Sequence, residues 1–338
     1  MNLKKIKKVT VFLLKKISIS IIAILFLSVL VFFMSRLAPG DPLVSYYGDR
    51  AERLSPEEKE HALERLGLNE AIPNQYIRWV NNAVHGDFGI SYKYKQDVLE
   101  VIEGRLINTL ILGGIGFLLT FLFALLLGIF CAFREESLLD HIICNVGTVT
   151  SCIPEFYFSL ILILVFSVNL KLLPSSGAYA LGQSGSIQSR LTHLVLPMIV
   201  VVLSHLWYYA YMIRNKLLEE IRQDYVLLAK SKGLSKKDIM YKHCVRNILP
   251  AFISIMAISL PHIVEGTYIV EMVFSYPGIG TLSFESAKYH DYNMLMVLCL
   301  ITGIIVIIGN NVGQAISEKI DPRMKTSEIV ETTEVTKI

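Results

Sequence analysis

The chain has 338 residues, of which 53% are hydrophobic and only 18% charged, and its formal net charge is +3. A soluble domain usually carries about 25% charged residues. Here the apolar residues are gathered in runs of roughly 18 or more, long enough to cross a hydrocarbon core of about 30 Å. These features exclude an ordinary soluble domain and predict an all-α integral membrane protein. The small net charge does not favour binding to nucleic acid.

The first predicted elements are a basic cytoplasmic segment, residues 1–16, and a membrane span, residues 17–34. Six lysines precede the span: Lys4, Lys5, Lys7, Lys8, Lys15 and Lys16. A basic start before an apolar run is also typical of a signal peptide. However, this run is long for one, and no small-x-small cleavage site closes it. We therefore predict a first span with a cytoplasmic N-terminus.

Residues 35–106 are a polar segment between the first and second predicted spans. We predict that this segment folds into a small helical cap on the extracellular side. Ser55 and Glu58 have the spacing of a capping box around Pro56, a residue suited to the first helical position. Gly67 marks the end of that helix. A second short helix should follow, with one apolar face formed by Tyr76, Trp79, Val80 and Ala83.

Residues 107–324 predict the rest of the membrane core, with five further spans that make about six in all. The spans are expected at residues 107–132, 141–168, 192–213, 249–270 and 293–316. Pro154 predicts a kink in the third span. An even number of spans places both termini and the basic segment 214–248 in the cytoplasm, as the positive-inside rule requires. The polar tail, residues 325–338, is expected to be disordered.

The basic segment 214–248 contains the most informative stretch, Tyr225-Val226-Leu227-Leu228-Ala229-Lys230-Ser231-Lys232-Gly233-Leu234-Ser235. The pattern predicts a helix, a break at Gly233, a second helix and a return to the membrane at Pro250. Glycine can adopt backbone angles that other residues avoid. A basic hairpin on the inner face of the membrane suits docking to a cytoplasmic partner.

This stretch resembles the EAA loop of ABC importer permeases, in the form found in the first permease subunit of oligopeptide, dipeptide and nickel importers. Leu227 and Leu228 replace the glutamate and first alanine of the nominal pattern, and Ile107 replaces a frequent proline. Four other stretches fit the same branch in the same order: Arg36-Leu37-Ala38-Pro39-Gly40-Asp41-Pro42, Gly86-Asp87-Phe88-Gly89-Ile90-Ser91, Val273-Phe274-Ser275-Tyr276-Pro277-Gly278-Ile279-Gly280 and Asp321-Pro322-Arg323. The resemblance covers about residues 10–324.

The resemblance implies a type I ABC importer permease fold and a multi-pass subunit of a plasma-membrane complex. The implied partners are a second homologous permease, two cytoplasmic ATPase subunits, an extracellular solute-binding protein and membrane lipid. The chain has no Gly-Lys dipeptide, hence no Walker A loop. It is therefore expected not to be an enzyme and to bind no cofactor or metal, with ATP and Mg used by the ATPases. The implied cargo is a di- or oligopeptide; nickel or a nickel chelate is the alternative.

The same resemblance assigns five residues to the ATPase-coupling loop: Tyr225, Ala229, Gly233, Leu234 and Ser235. Gly233 is expected to be the pivot of the hairpin, and Ala229 is expected to pack against the ATPase.

Ionisable residues within the spans are the other candidates, because they are costly at membrane depth and tend to face the bundle interior. His262 and Glu265 lie three residues apart, hence on one helix face, and are candidates for the translocation path. An internal hydrogen-bonded pair, or a position at the membrane interface, is the alternative interpretation. His205 and Glu155 are two further ionisable residues in predicted spans.

Two other classes of protein fit less well. A secondary transporter driven by an ion gradient would show internal repeats, and none is evident. A membrane-embedded enzyme would need a nucleophile or metal constellation. His141 and Cys144 have HxxC spacing, but two ligands do not make a closed zinc site, which has about four. They are interpreted as structural.

Overall fold

The computed structural model describes residues 3–37 and 42–320. It describes the side chains of these ranges from Lys16 onward, except those of residues 42, 139, 151, 263, 264 and 317–320. Parts of two stretches that carry the family resemblance, residues 38–41 and 321–323, lie outside the described residues, as does the tail predicted to be disordered, residues 325–338. The described backbone is helical apart from turns, loops and one isolated antiparallel bridge between Ile90 and Asp97.

Thirteen α-helices follow one another in the described residues. In chain order they are α1 Leu3–Leu37, α2 Pro42–Tyr47, α3 Pro56–Arg65, α4 Ile72–Val84, α5 Val98–Phe133, α6 Leu138–Ser151, α7 Glu155–Leu162, α8 Ile187–Ile221, α9 Asp224–Ser231, α10 Lys236–Asp238, α11 Val245–Val273, α12 Ile279–Lys288 and α13 Tyr292–Ile320. A 3₁₀ helix spans Gly48–Arg53, and π-helical segments extend α7 over Ile163–Asn169 and join α10 to α11 over Ile239–Cys244.

Among the described residues, five helices are long and apolar enough to cross a membrane, and one bent helix pair brings the number to six if it is counted as one span. The five segments are Lys16–Leu37, Val98–Phe133, Ile187–Ile221, Lys236–His262 and Tyr292–Ile316. This confirms the all-α fold with about six spans. Several helices run beyond the predicted spans; α5, for example, already begins at Val98.

The predicted third span is broken rather than kinked. Its two halves, Asp140–Thr150 and Glu155–Asn169, meet at an angle of 104°. Pro154 is the N-cap of α7. A proline lacks the N–H that would continue the helix and pushes the preceding residue out of the helical region. The break therefore places the start of a new helix inside the predicted span.

The described residues form two compact units, one from within residues 1–108 and 277–307 and the other from residues 109–276 and 308–320. In the first unit, α3 begins and ends as predicted. Ser55 Oγ accepts from Glu58 N at 3.2 Å, and Glu58 Oε2 accepts from Ser55 N at 2.8 Å, which completes the capping box. Gly67 has φ +67° and donates to Glu64 O at 2.9 Å, in a left-handed C-terminal cap.

Helix α4 packs against α1 through its predicted apolar face. Tyr76, Trp79, Val80 and Ala83 are all half-buried. Tyr76 lies edge-on to Phe32, with ring centroids 5.2 Å apart, and its hydroxyl shares a hydrogen bond of 2.8 Å with Ser28 Oγ. The residues between α1 and α5 therefore contain a small folded helical cap.

A polar network joins the last part of this cap to α12 and the start of α13. The buried Asp291 accepts from Ser91 Oγ and from Lys93 N. Glu285 accepts from Lys93 Nζ at 2.6 Å and from Tyr94 OH at 2.5 Å. Burial and the hydrogen bond to Glu285 raise the pKa of Tyr94 to about 12. The Tyr94 hydroxyl therefore stays protonated and remains a donor at neutral pH.

The core of the second unit is apolar and contains close helix contacts at small residues. Phe121 lies against Tyr209 and Phe252, with ring centroids 4.5 Å and 6.0 Å apart. A Cβ on Gly128 would come within 3.0 Å of Ala210 O and 2.8 Å of Ile213 Cγ2. Small residues at such contacts are typical of helices packed within a bilayer.

Candidate functional site: the hairpin and the ionisable groups of the spans

The predicted helix–glycine–helix hairpin is present in the second unit. Helix α9 ends in a left-handed cap in which Gly233 has φ +78°. Gly233 N donates to Lys230 O at 2.9 Å, and Leu234 N donates to Ala229 O at 3.2 Å. This pair of hydrogen bonds is the Schellman arrangement. No neighbouring atom lies within 4 Å of a Cβ built on Gly233, so the backbone angle, and not space, is what requires glycine there.

Ser235 starts the second arm of the hairpin. Its hydroxyl accepts from Asp238 N at 3.1 Å and donates to Asp238 Oδ2 at 2.6 Å. The other oxygen of Asp238 lies 2.6 Å from Lys242 Nζ, in an ion pair one helical turn along the chain. The turn from Gly233 to Ser235 is therefore held by backbone and side-chain bonds on both sides.

Tyr225 ties the base of the hairpin to the neighbouring helices. Its hydroxyl donates to Glu220 Oε1 at 2.8 Å, and Asn247 Nδ2 donates to the same oxygen at 2.9 Å. Glu220 lies near the end of α8, Asn247 lies near the start of α11, and Tyr225 lies in α9. One carboxylate therefore connects these three helices. Burial and the bond to Glu220 raise the pKa of Tyr225. Glu220 and Asn247 belong to the same basic segment, 214–248, but no pattern in it predicts that they meet Tyr225 through one carboxylate oxygen.

Ala229, the residue predicted to pack against the ATPase, is buried within the single chain. It is only 8% exposed and belongs to the core of the second unit, as does Val226. The two residues between them, Leu227 and Leu228, are 60% and 57% exposed. Alternate sides of a short helix face the core and the surface. The leucines that depart from the nominal family pattern thus form the outward face of α9.

His262 and Glu265 are both exposed on the surface of α11. No hydrogen bond or ion pair joins these two described residues, so the structure does not support the alternative of an internal bonded pair. Exposure in a single chain leaves their side chains free to meet water, another subunit or a solute.

A different ionisable pair is enclosed between α7, α8 and α11. Glu155 is the first residue of α7, and its Oε1 lies 3.8 Å from His205 Nε2 on α8. Their side chains are 17% and 16% exposed. Gly266 on α11 lies against both, because a Cβ there would come 2.8 Å from His205 Cε1 and 3.0 Å from Glu155 Oε1. In the sequence, Glu155 and His205 are separate ionisable residues of two predicted spans, and no sequence pattern indicates that they meet.

A second enclosed pair joins α6 to α8. Arg214 Nε and Nη2 donate to the two oxygens of Asp140 at 2.7 Å and 2.5 Å. The side chain of Asp140 is 1% exposed and that of Arg214 17%. Cys144 Sγ lies 3.7 Å from Asp140 Oδ1, whereas His141 Nδ1 contacts Ser137 O at 3.0 Å. His141 and Cys144 thus have separate partners, and Arg214 is a structural residue as well as part of the basic segment.

Two family models and several known proteins match this chain. Residues 124–326 match the model of the binding-protein-dependent transport system inner membrane component, and residues 9–113 match the model of the N-terminal part of such membrane components. An oligopeptide transport system permease protein of Bacillus subtilis (strain 168) is 32% identical over 93% of this chain and 99% of its own length.

Two further known proteins are similar to this chain. A di/tripeptide transport system permease protein of Pseudomonas aeruginosa (strain UCBPP-PA14) is 30% identical over 93% of this chain and 98% of its own length. A solved inward-facing structure of the MetNI methionine ABC transporter covers 66% of this chain and 97% of that chain, with a TM-score of 0.55 and 15% identity. It supports the fold alone. The resemblance to ABC importer permeases is confirmed, and the chain belongs to the family of inner membrane components of binding-protein-dependent transport systems.

Proposed function

We propose that this chain is the pore-forming permease subunit of an ATP-driven importer that carries di- and oligopeptides across the plasma membrane. The observation that carries the proposal is the match, over 93% of the chain, to permeases named for oligopeptide and di/tripeptide transport. The partners are a second homologous permease, two ATPase subunits and an extracellular solute-binding protein. Both termini and the hairpin lie in the cytoplasm.

The hairpin is the part of the chain that receives the movement of the ATPases. The exposed Leu227 and Leu228 supply an apolar contact, and lysines supply positive charge around it. Gly233 is the pivot, with Leu234 and Ser235 holding the turn. Tyr225 transmits motion because it links α9 to Glu220 at the end of α8 and, through Glu220, to Asn247 at the start of α11. A displacement of α9 thus reaches two membrane helices directly.

The face of α11 that carries His262 and Glu265 borders the translocation path. Both side chains are exposed in the single chain. Exposure of a charged group to hydrocarbon is costly by about 2.5–3.5 kcal/mol on insertion scales. Contact with water in a path between two permeases avoids that cost. A carboxylate there is suited to the ammonium group of a peptide.

Glu265→Gln is expected to change substrate preference without loss of assembly. Removing the negative charge should reduce uptake of peptides with a cationic residue several-fold more than uptake of neutral ones. The measurement is competitive uptake of labelled peptides, with co-purification of the subunits as the assembly check. Glu57→Gln in the exposed first turn of α3 is the matched control and should leave the preference unchanged. Equal effects on all peptides would refute a role for Glu265 in the path.

Cargo identity is tested by uptake in a strain deleted for this gene, with radioactive nickel and a labelled di- to pentapeptide set measured side by side. The proposal predicts loss of peptide uptake with nickel uptake intact, and recovery when the gene is restored. Loss of nickel uptake alone would reject peptides and assign the protein to nickel or nickel-chelate import by the same architecture.

A further inference from the structure

The enclosed pair of Glu155 and His205 has no place in the proposed path or hairpin, yet three membrane helices meet at it. Glu155 begins α7 directly after the break at Pro154. His205 lies near the middle of α8, Ile187–Ile221. Gly266 brings the backbone of α11 against both side chains. Because ionisable groups inside a membrane are costly, the charge state of this pair matters to the packing of all three helices.

Hydrogen bonding within α8 determines which nitrogen of His205 faces Glu155. His205 Nδ1 lies 3.1 Å from Val201 O. A carbonyl oxygen can only accept, so Nδ1 carries a hydrogen. In a neutral imidazole the other nitrogen, Nε2, is then an acceptor. His205 Nε2 lies 3.8 Å from Glu155 Oε1. A neutral His205 beside an ionised Glu155 would therefore place two acceptors face to face.

The second oxygen of Glu155 also lacks a hydrogen-bond donor within the described part of the chain. Glu155 Oε2 is buried and has no hydrogen-bond donor among the described residues. A buried carboxylate oxygen without a donor is expensive, because burial removes its water without replacing it. One proton between Glu155 Oε1 and His205 Nε2 removes the first problem and, by neutralising the pair, reduces the cost of the second. It turns the facing acceptors into a donor and an acceptor, and it makes the pair neutral overall.

We propose that Glu155 and His205 form a binding site for a single proton, held between Glu155 Oε1 and His205 Nε2 where α7, α8 and α11 meet. The proton is taken from water, and its binding changes the net charge of the pair from −1 to zero. Loss of the proton restores two opposed acceptors and loosens the contact across the broken span. The site belongs to this chain alone and does not depend on which solute is carried.

Other titratable groups of the three helices surround the pair. On α8, Tyr209 is stacked on His205, with ring planes 9° apart and centroids at 6.5 Å. On α11, His262 interacts electrostatically with His205, and Glu265 precedes Gly266 with an exposed side chain. On α7, the exposed Tyr157 is the other titratable residue. All of these side chains are present in the wild type and in both variants that follow.

Two amide variants separate the proton from the hydrogen bond. In Glu155→Gln the amide N–H can donate to a neutral His205 Nε2, and in His205→Gln an amide N–H can donate to an ionised Glu155. Each keeps a donor–acceptor pair without a titrating proton. The measurement is the melting temperature of the assembled transporter in nanodiscs as a function of pH, for wild type and both variants.

The sign of the expected effect follows from proton binding. The folded wild type holds a proton that is lost at high pH, so its stability should fall as pH rises. Both amide variants should lose this decline, and the difference in melting temperature between variant and wild type should grow with pH. Parallel profiles for wild type and both variants would overturn the proposal, since the background from the partner subunits is the same in all three.

Infrared difference spectroscopy of the wild-type transporter between high and low pH is the second readout, and it needs no variant that assembles. The proposal predicts a carboxyl or imidazole proton signal that shifts when histidine is isotopically labelled. Where the Glu155→Gln variant assembles, this signal should be absent from it. A carboxylate signal that stays ionised, together with a histidine signal that stays neutral, throughout the pH range would overturn it. Neither measurement uses transport, so failure here is distinct from failure of the proposed peptide import.

Discussion

Gly233→Val should abolish uptake while the chain still inserts and assembles. Gly233 has φ +78° in the Schellman cap of α9. For an ordinary residue the left-handed conformation costs roughly 1–2 kcal/mol, and a β-branched side chain is a genuine outlier there. The substituted turn will therefore open and change the direction in which α9 meets α10. Because the residues proposed to couple the permease to the ATPases lie in this turn, ATP hydrolysis and transport should be uncoupled.

A series at this position isolates the backbone effect. Asparagine tolerates the left-handed region better than other non-glycine residues, and no neighbouring atom lies within 4 Å of the added Cβ. Gly233→Asn should therefore keep most of the uptake, Gly233→Ala should be intermediate, and Gly233→Val should have almost none. The measurements are peptide uptake and the stimulation of ATP hydrolysis by loaded binding protein. Wild-type uptake by Gly233→Val would remove Gly233 from the coupling mechanism.

Asp140→Ala should strongly destabilise the chain, because it leaves the guanidinium of Arg214 enclosed without its carboxylate. The two groups form a double hydrogen bond, and Asp140 is 1% exposed. Breaking a buried pair on one side typically costs about 3–5 kcal/mol. The expected result is a sharply lower melting temperature and poor accumulation of the chain in membranes, measured by thermal stability in detergent and by immunoblot.

The control is a more exposed ion pair of the same unit. Arg222 Nη2 lies 2.9 Å from Glu135 Oε1, and exposed pairs contribute about 0–1 kcal/mol. Glu135→Ala should therefore have a small effect. The double variant Asp140→Leu with Arg214→Met should recover much of the stability, because an apolar replacement removes both charges together. An Asp140→Ala chain as stable as Glu135→Ala would show that the enclosed pair does not hold α6 to α8.

Local signals in the sequence predicted the elements of this fold. Ser55, Glu58 and Gly67 act within one helix, so their spacing alone determines its start and end. The same holds for the hairpin, where Gly233 and Ser235 define the turn by backbone angle and capping. The apolar runs predicted the spans because membrane thickness sets a minimum length.

Contacts between distant parts of the chain could not be predicted in this way. Asp140 and Arg214 are 74 residues apart, and no local pattern around either residue indicates its partner. Glu155 and His205 likewise meet only because α7 restarts after Pro154 and Gly266 leaves room on α11. The motif also could not show that Ala229 faces the core, since burial depends on how α9 packs.

The most direct test of the account is peptide accumulation in proteoliposomes that contain this chain, its partner permease and the two ATPase subunits, with loaded binding protein outside. The account predicts accumulation that requires ATP on the side of the ATPases and that continues when ion gradients are collapsed. Accumulation driven by an ion gradient in the absence of ATP would contradict it and would identify a secondary transporter instead.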